Sequence, residues 1–181
     1  MTTQALPSTI YTMDDNQVVR IRQAQEEDLR GMEWDGEYAH FRHLYRQHFQ
    51  NSLSGSTLIW VVENEVGKIV GQVFLMLLSS QSELADGIHR AYLFSFRLKP
   101  VYRNQGLGGF MLEFLENYLV GRGFDTLRIN VARENSRARH MYERHGYQVV
   151  GTEEGRWRYR DQNNQWQAVH EPAWRLMKRI G

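Results

Sequence analysis

Three observations predict that the chain folds as a single mixed α/β domain. Strand-like and helix-like periodicities follow one another from Val18 to Ile180 in the order β-α-α-β-β-β-α-β-α-β-β, with no internal repeat, low-complexity tract or linker. The 181 residues are 41% hydrophobic and 12% aromatic, enough to bury one core. A strand ending at Leu98 also runs through a glycine turn into the most regular amphipathic helix of the chain.

Residues 1–16 carry neither a basic n-region nor an apolar h-region, so they are expected to form a flexible tail, with the domain spanning 17–181. From Val18 the Val-Arg-Ile-Arg alternation predicts a strand, and Glu26, Glu27 and Asp28 suit the positive end of a helix after it. Tyr38, Phe41, Leu44, Tyr45 and Phe49 recur at helical spacing and predict a second helix, ending near Ser52 to Gly55. Thr57–Val62 and Lys68–Leu78 are β-rich, and the polar, glycine-containing Glu63–Gly67 between them predicts a hairpin. Ser79–Arg90 is expected to be a loop and Ala91–Leu98 a strand that Pro100 ends. Leu107, Phe110, Met111, Phe114, Leu115, Tyr118 and Leu119 then mark a three-turn helix, which Gly121 and Gly123 stop. Leu127, Ile129 and Val131 alternate as a short strand. Asn135 or Ser136 caps a last helix with Ala138, Met141, Tyr142 and His145 on its inner face. Tyr147–Gly151 and Trp166–Ile180 are the last expected strands, separated by a turn at 161–164.

Composition removes several functional classes. The formal net charge is +1, so no global field favours nucleic acid or an anionic membrane. The absence of cysteine excludes disulfides, thiolate metal sites and a cysteine nucleophile. The longest apolar stretch, Ile69–Leu78, is far shorter than the ~20 residues of a membrane helix, and a cytoplasmic location is expected. His40, His43 and His48 lie on one helix without a metal-ligand spacing, so no metal is expected. Ser95 with His89 or Asp86 lacks the Gly-x-Ser-x-Gly elbow of a hydrolase. Arg156, Arg158 and Arg160 alternate with Trp157 and Tyr159, which reads as a strand with one solvated face and one packed face.

The turn Arg103-Asn104-Gln105-Gly106-Leu107-Gly108-Gly109 offers the chemistry of an anion site. Its glycines let backbone approach a ligand, and the helix start contributes outward N–H groups and roughly half a positive charge. A pyrophosphate suits it. No Lys-Ser/Thr pair follows Gly108 or Gly109, as a phosphate loop requires, and Met111 occupies the third small position of a dinucleotide fingerprint. The pattern that fits is Arg-x-x-Gly-x-Gly at Arg103, Gly106 and Gly108, followed by Asn135-x-x-Ala138-x-x-x-Tyr142 and His145-Gly146-Tyr147. In these two blocks, their separation and the element order, the chain resembles the GNAT acetyltransferase superfamily.

That resemblance implies a GNAT fold, a mixed and mostly antiparallel sheet with a splayed central strand pair and about four helices. It implies acetyl-CoA as acyl-donor co-substrate, with Arg103, Asn104, Gln105, Gly106, Leu107 and Gly108 around its pyrophosphate. Phe96 and Leu98 would offer backbone to the pantetheine arm, with Asn135 and Ala138 beside it. Tyr142 would protonate the departing thiolate. An amine of a small molecule or peptide would attack the thioester directly, entering beside Trp34, Asp35, Glu37 and Tyr38, whose charge and aromatic rings suit an ammonium group. Many relatives carry a glutamate base on their fourth strand, but here Arg90 and Tyr92 occupy its positions. A proton path through Tyr92 or His89, or a carboxylate from Asp35, Glu37, Glu83 or Asp86, would have to replace it. Neither nucleic acid nor a membrane is an expected partner, and a homodimer is left open. The rival classes are a catalytically silent acyl-CoA-binding module and an RNA-associated protein using Arg156–Arg160.

Overall fold

A computed structural model describes residues 7–181. Four α-helices and ten strands are present among the described residues. In chain order they are β1 (Ser8–Thr12), β2 (Val18–Gln23), α1 (Asp28–Gly31), α2 (Arg42–Leu53), β3 (Thr57–Asn64), β4 (Ile69–Met76), β5 (Arg90–Leu98), α3 (Leu107–Val120), β6 (Thr126–Ala132), α4 (Ser136–Arg144), β7 (Gln148–Glu153), β8 (Arg156–Arg160), β9 (Trp166–His170) and β10 (Ala173–Arg179). Eight strands form one sheet in the order β1-β2-β3-β4-β5-β6-β10-β7, and β8 and β9 form a separate two-stranded ribbon.

The sequence pattern explains the layers. β3 and β4 are apolar at nearly every position and are buried along almost their whole length, as strands covered on both faces must be. On one face Leu107, Met111, Leu112, Leu115 and Leu119 of α3 are buried, and they share a core with Ile21, Trp60, Val73, Leu93 and Ile129. On the other face Met32, Tyr45 and Phe49 cover Ile59, Val61 and Phe74. The helix stripe and the strand alternation predicted for these segments meet here as one packed interior.

One strand pair positions the site. All pairings in the large sheet are antiparallel except β5 with β6, which run parallel and pair only from Arg90↔Thr126 to Leu93↔Ile129. Ser95 sits at φ 51, and the β4–β5 register shifts between Gln72 and Phe74, so β5 carries a bulge there. Beyond Leu93, β5 follows β4 while β6 follows β10, and the two separate. This is the splayed pair that the resemblance implied.

Three segments differ from expectation. The expected tail contains β1, which pairs with β2 from Ser8↔Arg22 to Thr12↔Val18, while residues 1–6 of that tail lie outside the described residues. As a sheet edge, β1 turns only Thr9 and Tyr11 inward and leaves Ile10 exposed, so it has no apolar alternation to read. Trp166–Ile180 is two strands, because the chain turns a corner at Glu171-Pro172, where Glu171 N–H donates to Gly155 C=O across 3.0 Å. The first helix is a single turn, followed by a kink in which Trp34, Asp35 and Gly36 all have positive φ, of 47, 58 and 106°.

Candidate active site

The β5–α3 connection is built around its glycines. Gly106 at φ 80° is the left-handed N-cap of α3, a conformation that strains any side chain. The first helical bond runs from Phe110 N–H to Gly106 C=O, 3.0 Å long, so the N–H groups of Leu107, Gly108 and Gly109 precede it without an intrahelical acceptor. At Gly109 an added Cβ would lie 2.4 Å from His145 Nε2, so α4 approaches α3 as closely as it does because no side chain stands there.

Gly106, Gly108 and Gly109 line a cavity of about 550 Å3 between the end of β5, the turn and α4. Among the residues named from the sequence, Phe96, Leu98, Arg103, Asn104, Gly106, Gly108, Asn135, Ala138, Tyr142 and Tyr38 line it. Leu107 does not, since its side chain is fully buried in the core. Gln105 folds its side-chain amide back onto Val101 C=O at 3.0 Å, leaving its backbone as its part of the turn.

The strand edge beside the cavity is open. Lys99 N–H donates to Val70 C=O on β4, so by alternation the backbone of Leu98 faces the opposite way, into the gap. There the Leu98 C=O accepts from Arg103 Nε at 2.7 Å, and the Leu98 N–H is left on the same side. Arg103 therefore braces the turn against β5 with one nitrogen. Asn104, at φ 60°, accepts from Arg137 of α4 and links the turn to that helix. Asn135 Oδ1 caps α4 by accepting from Ala138 N–H at 3.1 Å, which leaves its amide nitrogen to the cavity.

Sequence reasoning missed the cationic part of this lining. Arg97, Arg137 and Arg144 join Arg103 around the cavity, beside Met141 and His145. Arg137, Met141 and Arg144 lie at spacings of four and three on α4 and share a face with Ala138, a stripe that reads as packing when the helix is considered alone.

Tyr142 is buried and its ring meets Tyr147 edge-on at 5.7 Å. Burial, helped by the neighbouring Tyr92, holds its hydroxyl well above the ordinary phenol range, so it stays protonated at any physiological pH. Tyr92 stacks on Phe94 at 5.5 Å and faces Arg128 in the parallel register. Burial pushes Tyr92 up to about 12, with the charge of Arg128 only partly offsetting it. At neutral pH Tyr92 is therefore protonated and a poor base, and it is not among the residues lining the cavity. Asp86 is fixed structurally: its Oδ1 accepts from the N–H groups of Ile88, His89 and Arg90 at 2.8–2.9 Å. Burial opposes its charge, but those bonds outweigh it and hold the carboxyl down to about 2. His89 is exposed and lies 3.6 Å from Asp125. Glu83 is exposed, and its carbonyl accepts from Arg128 at 2.9 Å.

The four residues expected at the acceptor entrance are divided by the kink. Trp34 is buried against Tyr38, with ring centroids 5.0 Å apart, and with Asp35 it lines a separate groove of about 910 Å3. The Asp35 carboxylate lies 3.9 Å from Lys99 Nζ, and Glu37 is exposed. Tyr38 alone reaches the cavity, where the Arg97 guanidinium covers its ring at 4.5 Å. Consecutive left-handed residues send neighbouring side chains to different sides, which helical spacing does not foresee. Among the described residues, no group of three or more His, Asp or Glu side chains converges as a metal site.

A parallel strand–turn–helix unit with an open strand edge beside it, rimmed by arginines, defines an α/β domain with an anion-binding crevice. The acetyltransferase (GNAT) family profile matches residues 18–147, and the chain belongs to that family. An uncharacterised N-acetyltransferase of Bacillus subtilis, YdgE, is 27% identical over 100 residues, covering 54% of this chain and 59% of that protein, so the chain spans about three-fifths of the relative's length. The same fold occurs in the spermidine N-acetyltransferase of Vibrio cholerae, solved in complex with CoA and spermine, at TM-score 0.64 and 17% identity over 90% of this chain and 95% of that one. The ribosomal-protein-S18-alanine N-acetyltransferase of Escherichia coli matches at TM-score 0.65 and 21% identity over 90% and 94%.

Proposed function

We propose that the protein is a cytoplasmic N-acetyltransferase that moves an acetyl group from acetyl-CoA to an amine by direct attack in a ternary complex. The observation that carries this reading is the juxtaposition of unpaired N–H groups at the start of α3 with the open edge of β5 at Leu98. The first suits a pyrophosphate and the second an amide-containing arm, and one cavity joins them. Arg103, Arg137 and Arg144 supply positive charge for the donor's phosphates. No described helix is long and apolar enough to cross a membrane.

Acetyl-CoA brings the activated thioester, and the chain's residues do the rest. The Leu98 N–H, facing the gap, donates toward the oxygen on which negative charge grows; loss of one such donor costs ~3 kcal/mol. Tyr142, held protonated by burial, donates to the sulfur that leaves. An amine of ordinary pKa is only about 0.04% neutral at pH 7, so the acceptor has to lose a proton on the way in, and Tyr92 is the residue to which we assign its relay toward solvent. The acceptor class we favour is a cationic amine of a small molecule or peptide, approaching past Tyr38, the one of Trp34, Asp35, Glu37 and Tyr38 that reaches the cavity, with the Asp35 and Glu37 carboxylates attracting it from outside. The expected test result is release of CoA thiol with at least one member of a panel of polyamines, amino acids, N-terminal peptides and aminoglycosides. Tight CoA binding with no thiol release across the panel would instead identify a silent acyl-CoA-binding module.

A further inference from the structure

We propose that Tyr11 is a positioning residue of the acetyl-CoA site, so that β1, which precedes the family-matched segment, is part of that site. The inference rests on the acyl-CoA reading above. Tyr11 Oη donates to the Gln105 C=O at 2.8 Å, a bond between residues 94 apart in sequence. Its ring packs on Phe110, the first residue of α3 to make a helical bond, with centroids 4.8 Å apart. A Cβ on Gly106 would lie 2.4 Å from the Tyr11 hydroxyl. Gly106 is thus required twice, once for its left-handed φ and once for room to admit the tyrosine.

The consequence follows from peptide geometry. No cis peptide occurs among the described residues, and in a trans peptide the C=O and the next N–H point in opposite directions. Fixing the Gln105 C=O on Tyr11 therefore turns the Gly106 N–H away from β1, toward the cavity that Gly106 lines. Accepting a hydrogen bond also polarises the peptide and strengthens that N–H as a donor. Arg103 is held by Leu98 C=O and Asn104 by Arg137, so Tyr11 supplies the third brace of the turn. A turn pinned before the ligand arrives loses less entropy on binding it.

The test is Tyr11→Phe, which keeps the ring on Phe110 and removes only the hydroxyl. Because β1 remains paired with β2 over five residues, the melting temperature without ligand should fall by no more than about 2–4 °C, the loss of one hydrogen bond. The Kd for CoA should rise about three- to tenfold, the range expected for one hydrogen bond. Binding of S-acetylpantetheine, which has no pyrophosphate, and kcat at saturating acetyl-CoA should match wild type. An unchanged Kd for CoA would overturn the proposal. So would an equal loss with both donors, which would make the hydroxyl generally structural. Wild-type protein that bound no CoA would remove the acyl-CoA reading itself. A readout without ligand comes from Gly106→Ala, whose new methyl meets the hydroxyl in wild type. It should destabilise the Tyr11→Phe protein less than the wild type, and equal destabilisation in both would show that the hydroxyl does not sit against the turn.

Discussion

Gly108→Val separates cofactor binding from folding. Gly108 lies in the first turn of α3 with an ordinary helical φ, so a side chain there strains no backbone. Its Cβ would stand 3.3 Å from Met141 Sδ and 4.0 Å from Leu98 Cδ1. Methionine is flexible enough to yield by a few tenths of an ångström, and leaving glycine gains ~0.3 kcal/mol of helix propensity. The free variant should therefore melt within about 2 °C of wild type. The two γ-methyl groups, however, extend beyond Cβ into the cavity between Met141 and Leu98, where the donor has to pass. Acetyl-CoA at a hundred times its Kd should stabilise wild type by about 2.7 kcal/mol, and a domain of this size shifts by about 2–4 °C per kcal/mol. Thermal unfolding of wild type at millimolar acetyl-CoA should thus move up by about 5–11 °C, and that of Gly108→Val should not move. Equal shifts in both proteins would refute the placement of the donor. No shift in wild type would refute the acyl-CoA reading as a whole.

Tyr142→Phe should lower kcat by on the order of 10²-fold with acetyl-CoA affinity nearly unchanged, measured by steady-state kinetics and a binding isotherm; full turnover would return Tyr142 to the core. Because burial raises its pKa, Tyr142 should add no descending limb to the wild-type kcat profile below pH 10. For an acceptor found by thiol release, Asp35→Asn and Glu37→Gln should raise its KM at low salt more than at high salt and leave acetyl-CoA binding intact. Unchanged kinetics in both would move the acceptor to the 82–89 loop or the C-terminal strands. His48 lies between the rings of Phe74 and Phe94, at 5.4 and 5.0 Å, and burial lowers its pKa from 6.5 to about 4. The unfolded chain then binds the extra proton between those values, so stability present above pH 6.5 is lost as pH falls toward 4, by about 3 kcal/mol from this group. Denaturant unfolding from pH 7 to 4 should show a correspondingly shallower loss in His48→Phe, and parallel curves would show that His48 is not buried neutral.

Legibility in the sequence tracked how local each signal was. The α3 stripe, the glycine turn and the Asn135 cap are written within a few neighbouring residues, and they occupy the structure as expected. The β5–β6 splay came from resemblance, since no short stretch of either strand encodes where its partner departs. β1 was not legible because its inward side is one threonine and one tyrosine, and the value of Tyr11 lies in a contact 94 residues away. The three arginines on α4 and β5 were hidden for a similar reason: charge on a helix or strand reads as solvent-facing until a second element folds over it. The division of Trp34 and Asp35 from Tyr38 arises from three successive positive φ values, only one of them at a glycine.

Considered mechanically, the large sheet is two plates, β1 to β5 and β6-β10-β7, stitched by the four residue pairs from Arg90↔Thr126 to Leu93↔Ile129. Side chains cross the seam, with Leu93 on one plate and Ile129 and Leu176 on the other sharing the core beneath α3, but past Leu93 no backbone ladder does. Across its strands a sheet is held by its hydrogen-bonded ladder, and here that ladder is interrupted where chemistry is proposed to occur. An arm lying in the slot, bonded to β5 on one side and resting on α4 on the other, would act as a removable rung. It would couple the plates while present and free them to move apart when the product leaves.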